Sequence, residues 1–221
     1  MNSKRLETAI WGCVALLAAG IPPNLFPAAQ AGLAKMSYLG KWFLLPSVGV
    51  LLLATVASAI RGRRVLSRRI LVGAFSGLIA TLGLELVRAT SFHFGGMPGD
   101  MPKLLGVLLT DRFMLGPSVF SNTVGYAYHF WNGICFGVIF SVIFGKRPVW
   151  WALAFAQAIG IGFLLSPAVQ ALGIGFMGLA MPAMPITVVT AHLVFGILLA
   201  VLTRRLIPES PWLFASEEGR S

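Results

Sequence analysis

Long apolar runs, separated by short basic or glycine- and proline-rich breaks, set the pattern of this chain. A helix crosses the ~30 Å hydrocarbon core of a bilayer with about 20 residues at about 1.5 Å rise each. Residues 42–60 form an uncharged block of that length, and residues 70–87 another, interrupted only by Glu85. No charge occurs from Phe113 to Gly145, and residues 126–144 are its most apolar part. The uncharged run from Pro148 to Thr203 is too long for one helix. Gly173, Gly175, Gly178 and Met181-Pro182-Ala183-Met184-Pro185 divide it into spans over 149–170 and 185–203. Near the start, Lys4, Arg5, the apolar stretch Ile10 to Gly20 and Ala29-Gln30-Ala31 imitate a secretory signal. The segment is expected to stay on the chain as a first span over 7–21. Pro22 and Pro23, which lack the amide hydrogen a helix needs, should end it.

The pattern therefore predicts an all-α bundle of six transmembrane helices. Composition agrees: 57% of the residues are hydrophobic and 11% charged, against about 45–50% and about 25% in a soluble domain. Mean hydropathy is +0.84. Such a chain lacks the polar surface to cover itself in water, and the lipid bilayer is its first partner. Its parts read as a two-span segment with a basic loop (1–69), a four-span core (70–205) and a tail (206–221). In the tail, Pro211-Trp212-Leu213-Phe214 suggests an interfacial anchor or partner contact.

The net charge of +10 looks at first like an invitation to nucleic acid. No basic stripe with interleaved aromatics supports that, and no nucleic-acid partner is expected. With both termini in the cytoplasm, 12 of the 17 Lys and Arg residues fall on the inner side. They cluster at Lys4 and Arg5, from Arg61 to Arg69, at Lys146 and Arg147, and at Arg204, Arg205 and Arg220. The charge is a topology signal, strengthened by attraction to anionic head groups. Trp42, Trp150, Trp151 and Tyr126 lie at span ends, as interfacial aromatics do.

The core shows signs of duplication. Span three leads into Gly96-Met97-Pro98-Gly99-Asp100-Met101-Pro102, and span four begins with His129-Phe130-Trp131-Asn132-Gly133. Span five leads into the second Met-Pro turn, and span six carries His192-Leu193-Val194-Phe195-Gly196. From second proline to histidine is 27 positions in one half and 7 in the other. The first half thus carries an insertion, expected to hold a short interfacial helix around residues 103–109. A parallel repeat would put His129 and His192 at similar depth on equivalent helices. Gly73 and Gly77, and the row Ala152, Ala156 and Gly160, have the four-residue spacing of close helix packing.

The order GxFSGLxAT, GGMPxxMPxLLG, GYxYHFWNGxxFG and AHLVFG resembles a family of bacterial four-helix integral membrane proteins. The resemblance covers residues 70–205, with spans one and two as an added pair. It implies the fold and a bacterial inner membrane, and it implies no reaction, since the family has no established activity.

Ionisable groups within spans are rare and functional by default. Glu85, Arg88 and Thr81 form one stripe on span three. They make either a local ion pair or a proton or ligand gate. His129 and His192 are either interhelical ties or ligands. A pair of imidazoles at matched depth could hold haem b axially. His93, Met97, Met101, Met177, Met181 and Met184 gather at the two turns, and thioether with imidazole suits copper(I). Methionine also fills irregular apolar gaps. The glycines four residues after each histidine leave room for a flat ligand or for a neighbouring helix. Tyr126, Tyr128, Trp131 and Asn132 beside His129 leave a quinone or lipid pocket open. Cys13 and Cys135 read as small buried apolar residues. No nucleophile elbow, phosphate loop or acidic metal set occurs. Three functional classes follow: a non-enzymatic subunit working with other membrane protein subunits, a haem or copper protein, and a small-molecule transporter. Apolar midplane positions weigh against the last.

Overall fold

The computed structural model describes residues 3–208, and no strand occurs among the described residues. Helix α1 (Ser3–Gln30) is followed by α2 (Met36–Leu39), which passes through a π-helical turn (Gly40–Leu44) into α3 (Leu45–Ile60). Then come α4 (Arg64–His93), α5 (Met101–Leu109), α6 (Val119–Phe144), α7 (Val149–Leu164) and α8 (Pro167–Ala171). A short 3₁₀ turn (Phe176–Gly178) precedes α9 (Ala183–Leu206). Among the described residues, six stretches are long and apolar enough to cross a membrane: Arg5–Gln30, Met36–Ile60, Arg64–His93, Val119–Phe144, Val149–Ala171 and Ala183–Leu206. The protein is a multi-pass integral membrane protein. Arg220 and the aromatic tail motif lie outside the described residues.

Helix α1 does not stop at Pro22. It runs on through Pro22, Pro23 and Pro27. Prolines are tolerated in a membrane helix that its neighbours hold in place, and side-chain hydrogen bonds brace this segment. Asn24 Nδ2 donates to Gly20 O at 2.7 Å, and the Tyr128 hydroxyl reaches across from α6 to donate to Pro22 O at 2.6 Å. The six spans otherwise match the apolar runs, and the fifth is broken between α7 and α8 at Leu165 and Ser166. Ser118 starts α6 with a reciprocal capping box to Ser121.

Helix α4 is the central element, packed against α6 on one side and α9 on the other. Gly73 and Gly77 meet Gly133 and Gly137 so closely that the backbones touch. A Cβ at Gly73 would lie 2.8 Å from Val138 Cα, and one at Gly77 3.0 Å from Gly137 Cα. The same device seats α5 on α6, where a Cβ on Gly125 would fall 2.7 Å from Gly106 N. It recurs where α9 meets α7, with Gly196 over Ala152 and Ala156. The glycines following His129 and His192 therefore serve helix packing: Thr81 fills the space at Gly133.

At the arginine-rich end, Arg69 is fully buried. Its Nη1 donates to Val142 O at 3.3 Å, and its guanidinium sits under Gly145 at the end of α6. Gly145 adopts φ +58°, which leaves that space open. A cation there also complements the helix C-terminus. Arg63 pairs with Glu7 at 2.5 Å, tying α1 to the loop before α4.

Candidate functional site

The opposite, distal end of the bundle holds a connected set of charges. Glu85 and Arg88 share a face of α4, and Arg88 grips the carboxylate with two bonds, Nε to Oε2 at 2.8 Å and Nη2 to Oε1 at 2.6 Å. The segment between α4 and α5 folds back so that Asp100 Oδ1 lies 3.2 Å from Arg88 Nη2. Lys103, in the first turn of α5, reaches Asp100 Oδ2 at 3.1 Å. Charges thus alternate, Glu85, Arg88, Asp100, Lys103. Helix α6 adds Tyr126, whose hydroxyl is 3.4 Å from both Arg88 Nη2 and Asp100 Oδ2. It also adds His129, whose Nε2 stands 3.3 Å from Glu85 Oε2. The side chains of Glu85, Arg88 and Asp100 are 13%, 7% and 10% exposed. A buried pair with one member removed strands the other, so the set holds together or fails together.

Beside this network lies a cavity of about 420 Å³, bordered by α1, α4, α5, α6, α7 and α9. This falls within the range of small-molecule sites. Its walls are largely apolar, with Phe26, Leu84, Leu105, Phe136, Phe163 and Phe195. Arg88, His129, Asn132, Ser166, Thr187 and His192 supply the polar part. Glu85 and Asp100 are not on the wall; they stand behind Arg88.

Several of these polar groups lack partners. Arg88 Nη1, Asn132 Oδ1 and Ser166 Oγ are buried without a hydrogen bond, and His129 Nε2 makes none of proper geometry despite its nearness to Glu85. His192 Nδ1 is 2.8 Å from Val188 O. A carbonyl only accepts, so that nitrogen carries the hydrogen and Nε2 presents a lone pair. The His192 ring packs over Gly160, where a Cβ would lie 2.9 Å from Cγ.

The sequence candidates separate into three groups. Arg88, Met97, Met101, His129, Asn132 and His192 line the cavity together. Glu85 and Tyr126 position Arg88 from behind. His93, Met181 and Met184 fall elsewhere. His93 is exposed at the end of α4, edge-on to Phe94. Met184 is buried in a cluster with Met97, Leu164, Val169 and Val188, and Met177 and Met181 pack against the same cluster. Thr81 bonds to Gly77 O within its own helix and contributes only to the wall. Cys135 is buried, whereas Cys13 is exposed on the outside of α1 rather than in the core. Among the described residues, no group of three or more His, Cys, Asp or Glu side chains is placed to hold a metal ion.

Sequence reasoning did not reach Asp100, Lys103, Ser166 or Thr187 as parts of the site. Asp100 precedes the first turn of α5 and Ser166 the first turn of α8, so each is a helix-start residue whose partner is set by tertiary folding. Thr187 bonds to Ser91 at 2.5 Å, joining α9 to α4 at the cavity edge. Scans against family models, curated proteins and solved structures return no match to this chain.

Proposed function

We propose that the protein binds a small amphipathic molecule within the membrane, in the cavity at the distal end of the bundle. One observation carries this: a phenylalanine-rich cavity ends on buried polar atoms that have no partner in the protein. An unmade hydrogen bond to a buried group costs about 1–3 kcal/mol. A ligand with an apolar body and a polar head completes both halves of the wall. The test is photolabelling with an aliphatic amphiphile bearing a diazirine in its chain. Peptides containing Phe136 and Phe163 should be labelled, and Ala191→Trp, which fills the cavity, should reduce that labelling at least tenfold. Labelling confined to lipid-facing residues such as Leu53 and Leu86, unchanged by Ala191→Trp, would contradict it.

A soft-metal or haem site is a second reading, and it rests on Met97, Met101, His129 and His192 sharing one cavity wall. A Soret band or stoichiometric copper in the purified protein would assign the cavity to that cofactor. An amphiphile site predicts neither.

The excess of Lys and Arg supports a cytoplasmic Arg61–Arg69 end, and with it a cavity in the outer leaflet of a bacterial inner membrane. Exposed positions report this in a chain lacking both native cysteines. Gly99→Cys should react with an impermeant maleimide in intact cells, and Arg61→Cys only after permeabilisation. The reverse pattern would invert the orientation.

A further inference from the structure

We infer that the cavity selects an uncharged hydroxyl head, on an aliphatic chain or on a hydroxylated ring, rather than an anion; this rests on the amphiphile reading above. Arginine beside an apolar cavity ordinarily suggests a carboxylate or phosphate. Here the guanidinium is already balanced. Glu85 occupies Nε and Nη2, and Asp100 stands 3.2 Å from Nη2. Lys103 is in turn held by Asp100. Within this network two cations already face two carboxylates. A third anion beside Arg88 would face both carboxylates where few waters screen them, and Coulomb repulsion grows as the dielectric falls.

Residues that line the cavity leave hydrogen-bonding capacity of both signs unused. Arg88 Nη1 is a donor without an acceptor. Asn132 Oδ1 is an acceptor without a donor, and the Nε2 lone pair of His192 makes no hydrogen bond among the described residues. A hydroxyl is the smallest head that serves both, since its oxygen accepts and its hydrogen donates. A single hydroxyl has one hydrogen and meets either Asn132 Oδ1 or His192 Nε2, whereas an ether or ketone accepts only and meets neither. A permanent anion likewise brings no hydrogen. Discrimination of this kind is strong, because a site built to bond a hydroxyl leaves buried groups unpaired when the hydroxyl is missing.

The experiment is displacement of the photoactivatable amphiphile from the full chain in nanodiscs. The competitors are 1-dodecanol, decylhydroquinone, dodecyl methyl ether, dodecanesulfonate and dodecane. At least one hydroxyl probe should compete at least tenfold better than the ether and the sulfonate. If dodecanol alone does so, the head belongs to an aliphatic alcohol; if decylhydroquinone alone does so, to a hydroxylated ring. Asn132→Leu or His192→Phe, whichever removes the acceptor of that one hydrogen, should weaken the hydroxyl probe and leave the ether unchanged, which a mere loss of folding would not do. Neither variant doing so would overturn the inference. Ether or sulfonate competing as well as both hydroxyl probes would overturn the inference and leave the cavity as an amphiphile site. No displacement by any probe, dodecane included, would overturn the amphiphile site itself.

Discussion

Arg88→Met will cost about 3–5 kcal/mol of stability, because it strands Glu85 and Asp100 as buried carboxylates. Both lose the same guanidinium, and only Asp100 keeps a cation, Lys103. Thermal unfolding in mild detergent should show the largest fall among single substitutions at this end. Glu85→Gln alone should cost less, since Asp100 still faces Arg88 and the amide oxygen can still accept from it. Adding Glu85→Gln to Arg88→Met should recover part of the loss, by removing the stranded charge. If the double variant were no more stable than Arg88→Met, the pair would not be energetically coupled.

Gly77→Ala will cost about 2–3 kcal/mol, although alanine is the better helix former. Its Cβ would lie 3.0 Å from the carbonyl carbon of Gly133 and 3.0 Å from Gly137 Cα. Those neighbours are backbone and cannot rotate away, so α4 and α6 must part. Gly49→Ala is the control. Nothing lies within 4 Å of a Cβ there, and the usual helix gain of about 0.5–1 kcal/mol should appear undiminished. Opposite signs at the two positions, read from melting temperature, would show that contact rather than propensity governs Gly77. Equal gains would mean that the helices do not meet as closely as the structure has them.

The sequence carried the spans well because bilayer thickness acts on hydropathy alone, with no need for tertiary detail. It failed at Pro22 and Pro23 for the converse reason. Whether a proline ends a membrane helix depends on the packing around it, and here α1 is held at Pro22 by the Tyr128 hydroxyl, over a hundred residues away. The Glu85–Arg88 pair was legible because helical spacing makes it local. Asp100 was not, since it reaches Arg88 only when the segment before α5 folds back. The repeat spacing pointed His129 and His192 toward a common place, and they share one cavity wall. The two Met-Pro turns do meet in the fold, for Met97 from the first packs in one apolar cluster with Met177, Met181 and Met184 from the second, while Met97 and Met101 also line the cavity.

Native mass spectrometry of the purified chain tests the central claim most directly. Released gently from detergent, the wild-type protein should carry one small amphipathic adduct per chain, and Ala191→Trp should carry none. A bare wild-type chain that also fails to take up added amphiphile, or an adduct retained in full by Ala191→Trp, would contradict a binding site in this cavity.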